Sequence, residues 1–487
     1  MTDLDAVVVG SGPNGLAAAL TVARAGCSVL VVEGADHVGG GTRTEELTLP
    51  GFHHDVCSGF HPFCVASAFF RTAELHRYGL RWAHPEIALA HPLDGGRAAF
   101  LSGSVEHTAA GLGADADAYR RHVAPLVRRW AVAADHLLGP VLRIPRHPLA
   151  TAGFGLTAMQ PAAWLARRWF ATEEAQALLA GCSAHSFLPL TAPFSASVGL
   201  ALTAIAHVVG WPVAVGGSGE IARALSEAIV DAGGTIQTGW PVARVEELPP
   251  ARAVFLDVNA AHLPLLLGDR LPARRRRVYQ TFRPGPAAFK IDYALDGPIP
   301  WTADACRRAG TVHVGGTLAE IAAAESEVNR GRAAERPFVL VGQQSLADPS
   351  RAPAGRQTAW VYGHVPNGYP DDAGPAIEAQ IERFAPGFGD RVLGRSIRTP
   401  MDFERENPNY IGGDIAAGGL QRFQVVRRPV LGPVPYRTGV PGYYLCSAST
   451  PPGAGAHGLC GWHAARAALG RELRPRTALR RRGWRRR

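Results

Sequence analysis

The feature that most constrains this chain lies near its start, where the apolar run Ala6-Val7-Val8-Val9 leads straight into Gly10-Ser11-Gly12-Pro13-Asn14-Gly15. The run predicts a buried strand, and the apolar spacing of Leu16, Leu20 and Ala23 predicts a helix closing at Gly26. A second strand, Ser28 to Glu33, ends in a carboxylate. A G-x-G-x-x-G set between strand and helix, with an acid closing the next strand, is a dinucleotide-binding fingerprint. Gly10 permits the tight turn, Gly12 admits a pyrophosphate, and Gly15 lets helix and strand close up. The helix N-terminus, at Pro13 and Asn14, attracts phosphate charge, and Glu33 is expected to bind adenosine ribose hydroxyls.

The next segment, His37-Val38-Gly39-Gly40-Gly41-Thr42-Arg43-Thr44, places three glycines just after the second strand, where main chain can run against a bulky ligand. Together with the F-x-x-D hairpin Phe52 to Asp55, the opening is similar to flavin-dependent amine oxidases and phytoene desaturases. The resemblance implies FAD, with Gly39, Gly40, Gly41 and Thr42 passing its pyrophosphate and flavin end.

Later segments extend the likeness. Val215-Gly216-Gly217-Ser218-Gly219-Glu220 opens a helical pattern from Ile221 to Ala232, followed by a short strand and Pro241-Val242-Ala243-Arg244-Val245. The resemblance implies that Val242 touches adenine through its backbone. Near the end, Gly453-Ala454-Gly455-Ala456-His457-Gly458 spells a second G-x-G-x-x-G, but it begins six residues past its strand, after two prolines, and too little chain follows for another βαβ unit. In the resembling families this loop, here Gly455, His457 and Gly458, lies along the flavin. No dedicated NAD(P)H domain is expected. Trp360-Val361-Tyr362-Gly363-His364-Val365-Pro366 and Asn407-Pro408-Asn409-Tyr410 carry the similarity to about residue 470, toward a phytoene-dehydrogenase-like branch near the pyridine nucleotide-disulfide oxidoreductase domain proteins.

The expected fold is α/β, a discontinuous Rossmann-type FAD-binding domain (1–75, 215–275 and 426–470) with an inserted α+β substrate domain (76–214 and 276–425) and a basic tail (471–487). Of the net charge of +9, the tail's nine Arg and one Glu account for most. It reads as a solubilising extension, with peripheral membrane contact as the alternative and no nucleic acid expected. Seven cysteines in no C-x-x-C pair argue against a disulfide framework, a thiol relay or a metal site, and fit a reducing, cytoplasmic setting. Residues 175–219 hold no Lys, Arg, Asp or Glu, yet prolines and histidines interrupt them, so they read as core or cavity lining rather than a span.

No Ser/His/Asp or metal-ligand spacing emerges, which suits a flavin that accepts hydride with little help. Two residues are candidate bases. Lys290 is the only lysine and shares a strand face with Asp292, as an ion pair or as an amine aimed at the flavin; His207 borders the charge-free run. His61 and His457 are weaker candidates. The function expected is dehydrogenation of a hydrophobic small molecule, with oxygen, a quinone or another acceptor closing the cycle. Amine or alcohol oxidation, or a non-catalytic role for bound FAD, are the alternatives.

Overall fold

The computed structural model describes residues 4–421 and 424–474. Leu4–Val9, Val29–Val32, Thr235–Gln237, Ala251–Leu256 and Tyr443–Leu445 form one parallel five-stranded sheet. The first strand is central, with Val7 paired to Leu30 on one side and Val254 on the other. The sheet therefore takes strands from three distant stretches of the chain. Helices on both faces explain why its strands are Val- and Leu-rich rather than alternating.

The first helix, Pro13–Ala23, follows Gly12 directly and starts with a proline at a position where a missing N–H does no harm. Ala17, Ala18 and Ala19 are fully buried. The C-terminal helix Leu459–Leu469 lies so close that a Cβ on Gly461 would stand 1.7 Å from the Asn14 carbonyl oxygen.

A second, seven-stranded sheet is built from Ile87–Pro92, Ala98–Leu101, Ala287–Leu295, Ala309–Val314, Val339–Gly342, Gln357–Val365 and Val392–Arg398. It is antiparallel except where Ile87–Pro92 runs beside Ala309–Val314. Ala287–Leu295 alternates as its sequence predicts, but both faces are buried, so Lys290 and Asp292 pair inside the protein rather than on its surface.

Most of the charge-free run lies in two largely buried helices, Ala196–Val209 and the part of Glu173–Ala184 that follows its two glutamates. Among the described residues no helix is long and apolar enough to cross a membrane. The body reaches further than 470: Leu473 is buried, and the Arg252 guanidinium donates to the carbonyls of Glu472 and Arg474. The rest of the basic tail, 475–487, lies outside the described residues.

Because Gly461 meets rigid backbone, Gly461→Ala must separate two helices. We expect it to lower the unfolding free energy by roughly 2 kcal/mol, read as a fall in melting temperature. An unchanged melting temperature would show that the helices are not in contact.

Candidate functional site

A cavity of about 900 Å³ runs between the two sheets. At one end it is walled by Gly10, Gly12, Pro13, Asn14, Glu33, Gly40, Gly41, Thr42 and Val242. Gly10 has a φ of +97°, and a Cβ on Gly15 would lie 2.1 Å from the Gly10 carbonyl oxygen, so this turn closes only with glycine. Gly15 and Gly39 shape the wall from behind: Gly39 N donates to the Ser11 carbonyl at 3.1 Å and, at φ +117°, turns the chain toward Gly40. The amides of Gly12, Asn14, Gly40 and Gly41 have no acceptor among the described residues, and Asn14 Oδ1 is buried without a partner. These donors sit at a helix N-terminus, where an anion is stabilised.

Glu33 takes part in the architecture as well. Its Oε2 accepts from Ser11 N at 2.7 Å and Ser11 Oγ at 2.6 Å, and Oε1 accepts from Ala35 N. Both lone pairs of Oε2 are thus taken, and Oε1 keeps one for a ligand hydroxyl. The backbone of Val242 forms no hydrogen bond among the described residues and borders the cavity, as an adenine contact requires.

Sequence reasoning missed Asp257, the residue that follows the strand Ala251–Leu256. Its Oδ2 accepts from Gly15 N at 2.8 Å, which places a carboxyl group at the anion-attracting end of the first helix. Burial pushes its pKa up to about 7, the Gly15 amide opposing and Glu33 adding to the rise. A protonated Asp257 leaves the helix terminus open to phosphate; an ionised one repels it. Its position right after the fourth parallel strand was the available signal.

Farther along, the loop Gly453–His457 forms the wall, and its amides have no acceptor among the described residues. His457 Nδ1 accepts from Leu459 N at 3.1 Å, so Nε2 carries the proton that it donates to the Gly453 carbonyl. Burial lowers its pKa to about 4, making it a neutral strut. Gly458 does not line the cavity; it packs against Phe69 and Ala17 at φ +66° and starts the last helix. Packed against this loop, Arg428 is buried and donates to the carbonyls of Ala416, Gly418 and Ala448, holding the segment 414–420 against the cavity.

The far end is an aromatic and aliphatic chamber that includes Phe187, Leu202, Trp211, Leu340, Trp360 and Tyr362, with His185 as its titratable histidine. His185 Nε2 and His313 Nε2 lie 2.9 Å apart, so one carries the proton and the other accepts it. Among the described residues His185 Nδ1 has no hydrogen-bond partner, and the ring lines the cavity. Burial, reinforced by nearby His364, lowers its pKa to about 3, so the ring is neutral at ordinary pH.

Neither sequence-level base reaches this cavity. Lys290 is buried behind Trp360, its Nζ 5.9 Å from that ring centre, and is held by Asp292. His207 bonds through Nε2 to the Tyr119 hydroxyl at 2.7 Å in the helical layer. His207 projects from the far side of a helix whose other side meets the cavity through Val198 and Leu202, whereas Lys290 shares the sheet face of Trp360 and Tyr362 but stands one strand farther out, where Trp360 covers it. His61 does line it, with Nδ1 3.4 Å from Ser58 Oγ. All seven cysteines are free, and burial raises the thiol pKa of both Cys57 and Cys64.

Comparison with known proteins agrees with this geometry. Residues 8–73 match the model of the NAD(P)-binding Rossmann-like domain. The chain is 28% identical to pyridine nucleotide-disulfide oxidoreductase domain-containing protein 2 of Rattus norvegicus, over 95% of this chain and 93% of that protein. It is 25% identical to a neurosporene-forming phytoene desaturase of Rhodobacter capsulatus, over 94% and 92%. The fold is shared with a putrescine oxidase solved with putrescine bound, at a TM-score of 0.62 and 19% identity, covering 96% of this chain and 99% of that one. The homologues and structural neighbours are thus the groups that the motifs resemble, and the α/β fold is theirs.

Asp257 makes stability depend on pH in a definite sense. Its folded pKa lies above the unfolded value of 3.8, so the native carboxyl loses stability as pH rises from about 4 to about 7, then levels off. Relative to it, Asp257→Asn should gain stability over that window, by up to a few kcal/mol. Thermal melts of both proteins across the window would check this; a pH-independent difference would mean the native carboxyl is ionised throughout.

Proposed function

We propose that the protein is an FAD-dependent oxidoreductase that removes hydride from a carbon centre of a neutral, hydrophobic small molecule. The observation that carries the reading is a single cavity joining a dinucleotide cradle to an apolar chamber. The residues present fit FAD. Glu33 would take the ribose hydroxyls, Val242 the adenine, and the free amides of Gly12, Asn14, Gly40 and Gly41 the pyrophosphate. The unpaired amides of Gly453–His457 supply the positive field that a reduced flavin needs. When bound, FAD supplies the hydride acceptor.

The protein's own part is to bind, orient and keep water out. Trp211, Trp360, Tyr362 and Leu340 offer flat, apolar surface, and no carboxylate stands among them to pair with a cationic amine. That favours a neutral substrate over an amine. His185 is the group placed to hold a proton: its ring lines the chamber while Nε2 meets His313. Its low pKa makes it a weak base, matched to a carbon that turns acidic as hydride leaves, and the second ring stabilises the tautomer.

Purified protein should be yellow and release FAD on denaturation, and Glu33→Ala and Gly12→Val should each weaken retention. Native FAD levels in both variants would sink the cradle assignment. Anaerobic screening of neutral lipophilic compounds for bleaching of the flavin band tests the reaction. With a substrate that bleaches it, His185→Gln should slow single-turnover reduction on the order of 10²-fold while keeping FAD bound; an unchanged rate would remove His185 from the chemistry. A flavin that no compound bleaches would favour a non-catalytic role.

A further inference from the structure

The helix Pro148–Ala158 carries no charged residue on any side, yet only Phe154 and Ala158 are buried. Leu149 is 89% exposed and Leu156 66%, and just before the helix Ile144 is 93% exposed. Val132 on Ala116–Leu137 and Trp164 on Ala162–Trp169 are exposed too. A helix apolar all round belongs in a core or a lipid phase, and clustered exposed apolar side chains mark an interaction surface.

The charge around these residues is one-sided. Between Arg120 and Arg168 the sole carboxylate is Asp135, and it pairs with Arg71 from outside the segment. Arg128, Arg129, Arg143, Arg146, Arg167 and Arg168 are exposed and form no ion pair among the described residues. Their placement follows the apolar residues. Arg128 stands one turn before Val132, Arg143 and Arg146 bracket Ile144, and Arg168 stands one turn after Trp164. Arg129 reaches the apolar helix itself, its Nε 3.2 Å from where a Cβ on Gly153 would be.

From the juxtaposition of exposed apolar side chains with unpaired guanidinium groups, we infer that this helical face docks on a bilayer surface that carries anionic headgroups. Apolar side chains enter the acyl boundary while arginines take phosphate oxygens at headgroup level. A second copy of the chain would bring like charges together across the contact. A nucleic acid would satisfy the arginines but leave Ile144 and Leu149 in water. The same helical layer walls the cavity on its inner side through Leu138, Val198 and Leu202. Docking therefore sets the apolar chamber beside a lipophilic phase. The inference does not depend on the cofactor or the reaction.

Sedimentation with vesicles tests it, using phosphatidylcholine alone and phosphatidylcholine doped with phosphatidylglycerol. The native full chain should bind the doped vesicles, less so at high salt. The full chain carrying Ile144→Asp and Leu149→Asp should bind them at least about tenfold more weakly, since two apolar insertions are lost. Both positions are exposed, so its melting temperature should match the native one. A full chain with Arg480, Arg481, Arg482, Arg485, Arg486 and Arg487 changed to Gln should keep most of the binding, which separates this face from the basic tail. The inference is overturned if the aspartate variant binds like the native chain, or if the tail variant loses all binding. It also fails if the aspartate variant merely converts a dimer to a monomer on gel filtration, which would assign the face to a second copy.

Discussion

The architecture depends on how closely the first helix approaches its neighbours. Gly15 sits over the Gly10 carbonyl on the sheet side, and Gly461 over the Asn14 carbonyl on the other, so main chain from residues 10, 15 and 461 meets with no side chain between. Dispersion falls steeply with separation, so small residues here produce tight packing that a larger side chain would forfeit. The same closeness fixes the helix N-terminus relative to Asp257, whose carboxyl accepts from Gly15 N. One set of glycines thus holds the Rossmann sheet together and shapes the anion-attracting end of the cavity.

Segments between the two sheets are joined by buried charge. Arg351, fully buried in the second sheet's domain, pairs with Asp55 at 3.0 Å and Asp348 at 2.9 Å, and donates to the Ala214 carbonyl. Asp55 in turn accepts from Ser218 N, and Asp348 from Gly216 N. Removing one partner would leave an uncompensated charge inside the protein, which is strongly destabilising, whereas the complete network is satisfied. The network closes just before the helix Gly219–Asp231, where Gly217 has a φ of +118°.

Polarity changes along the cavity. The nucleotide end offers unpaired amides and carboxyl groups, while the far end offers aromatic faces and neutral imidazoles. His185, His313 and His91 are kept neutral chiefly by burial, and Glu325 meets His364 at 2.7 Å behind the chamber wall. Apolar walls thus decide the protonation of the histidines that stand in them.

By itself the sequence determined the cradle. Gly10, Gly12, Gly15 and Glu33 lie within one contiguous βαβ stretch, and local backbone sterics require glycine at fixed offsets there. It also made the α/β class legible, because buried parallel strands read as continuous apolar runs. Only the tertiary structure decided which polar residues face the cavity. Lys290 and His207 look like candidate bases along the chain, but packing turns His207 to the far side of its helix and seals Lys290 behind Trp360. For the same reason His185 and His313, 128 residues apart, meet only through the fold. Asp257 acquires its raised pKa only when buried beside a helix terminus that the chain reaches 242 residues earlier.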